Sequence, residues 1–473
     1  MKRLVFCFDG TWNKLASPLP TNVVVIAESV FPSATRDVSQ IIHYDDGVGT
    51  GGDDWKWKQL FEYYTGGILG AGLVDNIREA YRFIIFNYEP GDQIYVFGFS
   101  RGAYTARSFI GLLNAASIID RRDAAQIDRA VELYRNRLKT DLAHKEERWR
   151  FRAEHARCLV VSDEEDAWRA QNCPGHVLGS LPRLSVSYLG VWDTVGAMGL
   201  PAALPGARRF NARHQFHDSE LPRFVEAGRH AVALDERRRS FPVTRWENVA
   251  ERNQEKGFDW TQPDAPVQEQ WFPGTHGSVG GGGDIRGLSD AALAWVVEGA
   301  RAKGLELDTS ASSRVFELAP NHRAPLVNTK SGPDFTAKYL PKRDRSGPDG
   351  LHQVHVAARR RWCESPQGLP EKVAYRPASL LRIAGQMDAL CPTMPSAYTG
   401  PILARHVVVR GDTLQKLARK YLGSASLSVT IFEANRGSVI DPDELFVGTE
   451  LIIPALEDGS GPAKTASTGG EEN

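Results

Sequence analysis

The chain has 473 residues, and its 57 lysines and arginines nearly balance 58 aspartates and glutamates, which leaves a net charge of −1. Such a chain has no overall attraction to nucleic acid or to an anionic membrane, and it is long enough for a large core and an accessory unit. Its five cysteines are an odd number without C-x-x-C spacing, which argues against a disulfide framework and a zinc site and fits synthesis in a reducing compartment.

The first predicted element is a strand over residues 2–8, which runs into Asp9, Gly10 and Thr11. A basic start and an apolar run also occur in signal peptides, but Asp9 interrupts this run and no small-residue cleavage site follows. No uncharged stretch of about 18 apolar residues occurs, so no membrane-spanning helix is predicted. We therefore expect synthesis in the cytoplasm without a signal peptide or a transmembrane helix, and any role outside it requires a dedicated secretion machine.

The turn after this strand is a candidate for one half of an oxyanion hole. Gly10 has no Cβ, so the backbone there is able to approach a ligand closely, and the N–H groups of Gly10 or Thr11 are the donors that we nominate. The alternative is an ordinary Asp-Gly turn.

A glycine run at 47–52 follows the next predicted strand and formally fits G-x-G-x-x-G. No helix begins directly after it, and no strand ends in an acidic residue about 20 positions later, so the sequence does not favour a dinucleotide site and implies no cofactor. The aromatic residues that come next, between Trp55 and Tyr64, are expected to pack in the core. Docking on a lipid interface is the alternative for these rings.

The most informative motif is G-F-S-R-G at 98–102, which lies between an apolar run at 94–97 and a helical pattern of small and apolar residues. A strand, a sharp turn with serine at its apex, and a helix form the nucleophile elbow of α/β-hydrolases. Glycine is needed on both sides because the serine backbone is strained and its neighbours are crowded. We therefore predict that Ser100 is a nucleophile and that the Arg101 N–H is the other oxyanion donor. The alternative is a serine that caps the helix.

After this helix, residues from about 122 to 172 form a charged stretch with helical periodicity, which predicts a helical insertion whose charges face solvent. A predicted strand at 183–192 then ends at Asp193. Catalytic side chains gather at such strand ends in open α/β sheets, and an acid after the serine fits the chain order of this fold. We therefore assign Asp193 as the acid that orients the base, with a helix N-cap as the alternative.

His276 is the candidate base, because it lies on a loop just after a short predicted strand at 267–272 and before the glycine run 280–283. A loop histidine in this place is able to reach across to the serine. Two other histidines stay open as alternatives. His217 lies on a predicted loop, and His230 lies in a stretch that is predicted to be helical, where a partner-satisfied core histidine is the ordinary interpretation.

Six motifs follow one another along the chain: FDGTWN at 8–13, GVGT at 47–50, GFSRGA at 98–103, VWDTVG at 191–196, HAVALDE at 230–236 and WFPGTH at 271–276. Together they resemble the catalytic domain of type VI secretion phospholipase effectors of the first lipase group, over a span from residue 1 to about residue 384. The resemblance implies an α/β-hydrolase fold, with Ser100 as nucleophile, Asp193 as orienting acid and His276 as base. It also implies a phospholipid substrate at a membrane surface and delivery into a rival cell. One position departs from the family pattern, because Ser278 stands where an aspartate is usual.

A different module occupies residues 405–455, where a strand, a tight turn, two helices and a strand are predicted. The residues GDTL at 411–414, AN at 434–435 and VG at 447–448 resemble a LysM domain. That resemblance implies binding of N-acetylglucosamine-containing glycans, including peptidoglycan, beside the loop of Gly411, Asp412 and Thr413. A version of the fold that docks a secretion-apparatus protein is the alternative. The composition of residues 391–404 predicts a linker, and that of the polar residues 456–473 predicts a disordered tail.

The sequence as a whole predicts an α/β protein, in which an α/β-hydrolase-like catalytic domain at 1–390 is followed by a small βααβ LysM-like domain. We expect a serine esterase that hydrolyses phospholipid acyl esters through a Ser-His-Asp triad, without a metal or a cofactor, and that acts as an antibacterial effector of a type VI system. The competing interpretation is a protein that binds the cell wall or the secretion apparatus and whose hydrolase fold is catalytically silent.

Overall fold

The computed structural model describes residues 1–10, 17–32, 38–46, 69–136, 142–196, 219–239, 241–308, 310, 318–329, 342–391, 400–409, 411–435, 439, 442, 445 and 449–456. The chain divides into two compact units, Met1–Ala384 and Gly385–Asn473. Several predicted features lie outside the described residues: Thr11, His217, the glycine run 47–52, the aromatic residues 55–64, and most of the predicted linker and tail. In the described ranges, no helix is both long enough and apolar enough to cross a bilayer.

The first unit is built on a parallel sheet. Its strands within the described residues are β1 Arg3–Phe8, β2 Gln40–Asp45, β3 Gln93–Phe99, β4 Tyr188–Trp192, β5 Gly228–Ala233 and β6 Val267–Phe272. They lie in the order β2-β1-β3-β4-β5-β6, and every neighbouring pair is parallel. Apart from the edge strand β2, the strands are almost continuously buried, as in a sheet that is covered on both faces.

Helices cover both faces of this sheet. In chain order, the described residues of the first unit form the helices α1 Asn22–Ser29, α2 Leu69–Asn87, α3 Arg101–Ala116, α4 Ile127–Arg135, α5 Leu142–His155, α6 Asp163–Asn172, α7 Val249–Glu255, α8 His276–Gly280, α9 Gly287–Ala302 and α10 Val356–Cys363. A further helix, α11 Ala384–Leu390, begins at the last residue of this unit and otherwise belongs to the second. Side chains alternate along β1, so that Leu4 and Phe6 join one core cluster with α2, α3 and α4, whereas Val5 and Cys7 join the other with α1 and α9. The architecture is therefore mixed α/β.

Three helices, α4, α5 and α6, lie within the stretch that was expected to be a charged helical insertion. The prediction that its charges face solvent is wrong for Arg152, Glu165 and Arg169, which are buried. Glu165 pairs with Arg169 of the same helix at 2.6 Å and with Arg152 of α5 at 3.1 Å. Because buried charges are tolerated only when they are paired, this cluster joins the two helices.

The strand register brings the ends of three strands to one edge of the sheet. Phe8, the last residue of β1, is level with Gly98 of β3, and β3 is paired in turn with β4. Asp9, Ser100 and Asp193, which follow these strands, therefore lie at the same carboxyl edge. In open α/β sheets, this edge is where ligands bind.

The second unit has its own small core. After α11, its described strands are β7 Ile402–Val407 and β8 Glu450–Pro454, which pair antiparallel, and its described α-helices are α12 Leu414–Leu422 and α13 Ser428–Ala434. The side chains of Leu417, Ile431 and Ile453 belong to this core. The Asn435 amide donates to the carbonyl oxygens of Ile431 and Ile452 and accepts from Ile452 N, at 2.6–2.7 Å, so it ties the end of α13 to β8.

The oxidation state of two cysteines differs from the sequence-based expectation of no disulfide framework. Cys363 and Cys391 are each in the disulfide form and are not free thiols, so the argument from odd number and spacing is wrong for these two residues. Cys7, Cys158 and Cys173 are free thiols. Burial, with the charge of Asp9 nearby, raises the pKa of the Cys7 thiol well above its ordinary value, which makes Cys7 an inert core residue.

The turn between β3 and α3 generates the first testable prediction. A Cβ on Gly102 would collide with the carbonyl oxygens of Phe8 and Asp9, so Gly102→Val is expected to lower the free energy of unfolding by about 3 kcal/mol or more. Among the described residues, a Cβ at Gly196 would meet only Thr244 Oγ1, at 3.6 Å, so Gly196→Ala is the control and is expected to change stability by about 1 kcal/mol or less. Urea unfolding measures both. A Gly102→Val protein as stable as the wild type would contradict the close packing of this turn.

Candidate active site

Ser100 occupies the turn between β3 and α3 with a strained backbone. Its φ is 59° and its ψ is −122°, a conformation that a residue with a Cβ rarely adopts. The flanking glycines are required by packing, since a Cβ on Gly98 would come within 2.6 Å of Gly102 O. Ser100 N donates to Trp192 O at 3.0 Å, which fixes the turn against β4. The serine hydroxyl is thereby held at the carboxyl edge of the sheet.

His276 lies between Ser100 and Asp193. Its Nε2 is 2.7 Å from Ser100 Oγ and its Nδ1 is 2.5 Å from Asp193 Oδ2. Because the Asp193 carboxylate accepts hydrogen bonds, Nδ1 carries the proton and Nε2 is free to accept from the serine hydroxyl. The rings of Phe99 and Phe241 pack on the imidazole, with ring centres 4.7 and 5.0 Å away. The imidazole therefore has both its tautomer and its orientation set by its neighbours.

Asp193 is completely buried and follows β4 with a φ of 40°. Its Oδ1 accepts from Ala233 N at 2.9 Å and from Arg345 Nη1 at 2.5 Å, and Arg345 Nη2 is 3.0 Å from Oδ2. Burial by itself raises the pKa of Asp193, but the charge of Arg345 and the hydrogen bonds from His276 and Arg345 outweigh it, so the pKa lies below its usual range. Asp193 is thus an ionised carboxylate at neutral pH.

His230 lies in β5, and the prediction that it belongs to a helix is wrong. Its Nδ1 is 3.0 Å from Glu269 Oε2, and its Nε2 accepts from Thr194 N at 3.2 Å. Burial lowers the pKa of His230 below its ordinary value, more than Glu269 raises it. A neutral ring with these two partners supports the backbone directly after Asp193. The structure therefore brings His276, and not His230, against the Ser100 hydroxyl.

The nominated oxyanion donors differ in their surroundings. Arg101 is the first residue of α3, so its N–H lies at the positive end of the helix. Gly10 N donates to the carboxylate of Asp9 at 2.6 Å, and this carboxylate also accepts from Thr21 Oγ1 and Tyr44 OH. The Gly10 N–H becomes an oxyanion donor only if the Asp9 side chain releases it.

Three charged residues of the site were not nominated as site residues from the sequence. Arg345 pairs with Asp193, and Glu236 accepts from His276 N at 3.3 Å. Arg238 holds Glu236 at 2.8 Å, and its guanidinium lies over the ring of Phe241, 3.7 Å from the ring centre. Glu236 belongs to the HAVALDE motif, which was the only hint available, whereas the segment that contains Arg345 carries no motif.

The position where the family usually has aspartate is occupied by a structural serine. Ser278 Oγ donates to Leu326 O at 2.6 Å and is 3.1 Å from Thr275 Oγ1. Its hydroxyl therefore fastens the turn that carries His276. Among the described residues, no three histidine, cysteine, aspartate or glutamate side chains converge in a way that would hold a metal ion.

In the second unit, the loop of Gly411, Asp412 and Thr413 is organised by its own side chains. Asp412 Oδ2 is 2.7 Å from His406 Nε2 and accepts from Val409 N at 2.9 Å. Thr413 caps α12 by accepting from Lys416 N at 3.2 Å. Gly411 has a φ of 88°, which favours glycine. These contacts hold the tight turn in one conformation.

The sheet and the site define a mixed α/β protein with a hydrogen-bonded serine, histidine and aspartate at one strand edge, and comparisons with known proteins give its family. Residues 2–299 match the family described as T6SS, phospholipase effector Tle1-like, catalytic domain, and residues 406–454 match the LysM domain. Because the first match covers more than half of the chain, the protein belongs to the Tle1-like phospholipase effectors of type VI secretion. It also carries a LysM domain.

Individual relatives are distant. An uncharacterized protein of Saccharomyces cerevisiae is 24% identical over 249 residues, which are 51% of this chain and 32% of that protein. A crystal structure of an uncharacterized protein from Pseudomonas aeruginosa has 19% identity and a TM-score of 0.31, and covers 65% of this chain and 46% of that one. The structure of the Tle1 effector bound to the VgrG spike of the type 6 secretion system has 16% identity and a TM-score of 0.25, with coverages of 59% and 50%. The chain thus spans about a third of the curated relative and about half of the two solved chains.

The carboxyl group of Asp235, a half-buried residue beside the His276 loop, gives a pH-dependent prediction. Asp235 Oδ2 accepts from Gly274 N at 2.6 Å and from Tyr375 OH at 2.8 Å. Burial raises the pKa of Asp235 from 3.8 to about 6, although both hydrogen bonds and Arg361 lower it. The folded state therefore retains a proton that the unfolded state loses between these pH values, and stability falls as pH rises through this window.

Asp235→Asn keeps an acceptor oxygen without the charge, so the variant is expected to gain stability relative to the wild type as pH rises. The gain from pH 4 to pH 7 is up to about 3 kcal/mol. Urea unfolding at several pH values measures the difference, and Asp264→Asn, which removes an exposed carboxylate, controls for the change in net charge. A difference between Asp235→Asn and wild type that stays constant over this range would contradict the assignment.

Proposed function

We propose that the first unit is a serine esterase of the α/β-hydrolase type that cleaves acyl esters of phospholipids. The observation that carries this proposal is the continuous hydrogen-bond chain from Ser100 Oγ through His276 to Asp193, at 2.7 and 2.5 Å, with the serine on a strained strand-to-helix turn. A hydroxyl, an imidazole and a buried ionised carboxylate in this order form the apparatus for acyl transfer. Membership of a phospholipase effector family supports a lipid substrate.

The proposed reaction has two halves. Ser100 Oγ attacks the ester carbonyl carbon while His276 Nε2 takes the hydroxyl proton, and the imidazolium is stabilised by Asp193. The tetrahedral oxyanion is received by the Arg101 N–H and, when Asp9 releases it, by the Gly10 N–H. Collapse breaks the ester bond, and His276 returns the proton to the leaving lysophospholipid. Water then attacks the acyl-serine with the same histidine as base, which releases the fatty acid and restores the hydroxyl.

The test is fatty acid release from phosphatidylethanolamine and phosphatidylglycerol vesicles. Ser100→Ala and His276→Ala are each expected to lower kcat by about 10⁴-fold or more, since the members of such a triad act as a unit. Ser108→Ala is the matched control, because this serine lies in the adjoining helix α3 and its buried hydroxyl has no hydrogen-bond partner among the described residues.

Two outcomes would overturn the esterase proposal. One is turnover by Ser100→Ala at the wild-type rate. The other is a folded wild-type protein that releases neither fatty acid nor lysophospholipid, which would favour the catalytically silent alternative. Release of a phosphorylated headgroup in place of fatty acid would show a different bond specificity and contradict phospholipase A activity.

We further propose that the LysM domain binds peptidoglycan and that the protein acts as an antibacterial effector delivered by a type VI system. The ordered loop of Gly411, Asp412 and Thr413 supports a preformed groove, and the family supports the route. With peptidoglycan as ligand, the module would hold the esterase in the wall of a target cell next to the membrane that it attacks.

A sedimentation assay with purified peptidoglycan tests the LysM proposal. The wild-type chain is expected to pellet, and Asp412→Ala is expected to remain mostly in the supernatant, because the turn loses the carboxylate that His406 and Val409 hold. Glu450→Gln, at an exposed carboxylate of β8, is the control and is expected to pellet like the wild type. If the wild type stays in the supernatant, glycan binding is wrong and docking of a secretion-apparatus protein takes its place.

A further inference from the structure

Arg345 donates four hydrogen bonds to groups at the edge of the candidate site, although no sequence motif pointed to it. Its guanidinium donates to both carboxylate oxygens of Asp193, to Ala233 O at 2.8 Å and to Phe241 O at 3.0 Å. The side chain is only 6% exposed. The residue lies beyond residue 299, where the match to the catalytic family ends. The segment that carries it therefore belongs to the same site although it is outside the matched region.

The chemistry of this contact is specific to arginine. A planar guanidinium presents parallel N–H donors to the two oxygens of a carboxylate, and a lysine ammonium does not reproduce this geometry. A carboxylate that is completely buried needs such a partner, since an unpaired buried charge is strongly unfavourable. With Ala233 N and His276 Nδ1 as its other donors, the Asp193 carboxylate is held in one rotation.

We propose that Arg345 is a positioning residue of the active site, which holds the Asp193 carboxylate so that its Oδ2 faces His276 Nδ1. The catalytic consequence rests on the proposed esterase function, whereas the positioning itself does not. The guanidinium also bridges the two ends of the segment 233–241 through Ala233 O and Phe241 O. This segment contains the Glu236 carboxylate that accepts from His276 N, and the Phe241 ring that packs on the imidazole.

The two residues before Arg345 also contact the segment 233–241. Arg343 N donates to Arg237 O at 2.8 Å, and Asp344 pairs with Arg237 at 2.6 Å. These contacts place the guanidinium behind the carboxylate without any contact to Ser100 in the described structure. Arg345 therefore acts through Asp193 and not on the substrate.

Removal of the guanidinium has a defined effect on the pH dependence of turnover. Among the described residues, the charged groups that face His276 are Asp193 at Nδ1 and Glu236 at the backbone N–H, with Arg345 and Arg238 behind them. Without Arg345, the Asp193 carboxylate binds a proton more readily as pH falls. While it is still ionised, its charge is no longer offset by a guanidinium and therefore stabilises a neighbouring imidazolium more strongly. Both changes move the acid limb of the kcat/KM profile to higher pH.

The experiment compares Arg345→Met with Arg361→Met in the full chain. Arg361 is the matched control, since its side chain is also buried, pairs with Glu371 at 2.6 Å and donates to the carbonyl oxygens of His322 and Ala324. Arg345→Met is expected to lower kcat by about 10²-fold with little change in KM and to shift the acid limb upward, as for a misaligned catalytic group. Arg361→Met is expected to lose stability but to keep kcat and the acid limb.

Two further experiments keep the test valid if Arg345→Met folds poorly: the conservative variant Arg345→Lys, and chemical rescue of Arg345→Ala. Arg345→Lys is expected to retain an intermediate kcat, and millimolar guanidinium is expected to restore part of the activity of Arg345→Ala but none of that of Ser100→Ala. An Arg345→Met protein with wild-type kcat and an unshifted acid limb would overturn the proposal.

Proton NMR separates this inference from the esterase function, because it needs no turnover. The low-field resonance of the His276 Nδ1 proton is expected in the resting wild type and in Arg361→Met, and to be shifted or lost in Arg345→Met. A resonance that does not respond to Arg345→Met overturns the positioning role even in an active esterase. A resonance that responds in a protein without esterase activity supports the positioning role and rejects only the function.

Discussion

The buried negative charge of Asp193 is the constraint on which the arrangement of the first unit depends. A carboxylate without solvent is tolerated only when hydrogen bonds and a cation compensate for the water that it has lost. Here the compensation comes from three separate parts of the chain: the end of β5 through Ala233 N, the start of α8 through His276, and the segment after residue 342 through Arg345. The buried charge is tolerated only when all three parts of the chain are in place, so it couples their positions to one another.

The parallel sheet explains why these groups meet. Its strands end at one edge, and the segments after three of them carry the hydrogen-bonded side chains: Ser100 follows β3, Asp193 follows β4 and His276 comes shortly after β6. The strain at Ser100 is maintained by close packing, because Gly98 and Gly102 let the backbone of α3 approach β1 and β3. Positive φ angles at both Ser100 and Asp193 aim the two side chains toward His276. The buried strands therefore hold the site rigidly, and the irregular backbone at Ser100 and Asp193 sets the direction of their side chains.

Sequence reasoning located the parts of this site that have a local signature. The elbow around Ser100 is a short motif between a strand and a helix, and Asp193 and His276 each follow a predicted strand. The structure brings their side chains within hydrogen-bond distance, and their catalytic roles stay predictions. The strand that contains His230 was mistaken for a helix because residues 231–236 are rich in alanine, leucine and glutamate, and a fully buried parallel strand shows no alternation of polar and apolar residues.

The remaining features depend on contacts between distant segments. Arg345 is 152 residues from Asp193 and lies among lysine, arginine and aspartate, a composition typical of an exposed loop. Arg152 and Glu165 lie on different helices and form an ion pair. The periodicity of a single helix therefore does not show that these charged side chains are buried. Thr11 and His217 lie outside the described residues, and their predicted roles stay predictions. Long-range ion pairs of this kind leave no pattern at fixed spacing, which is why a single sequence does not reveal them.

The central claim is that Ser100 is an activated nucleophile, and covalent labelling tests it most directly. A fluorophosphonate reacts with a serine whose proton is taken by a neighbouring base and not with an ordinary hydroxyl. Intact mass spectrometry followed by peptide mapping is expected to find one adduct on wild-type protein, at Ser100, and none on folded Ser100→Ala or His276→Ala. Folded wild-type protein that remains unlabelled, or an adduct on a different serine that persists in Ser100→Ala, would contradict the account.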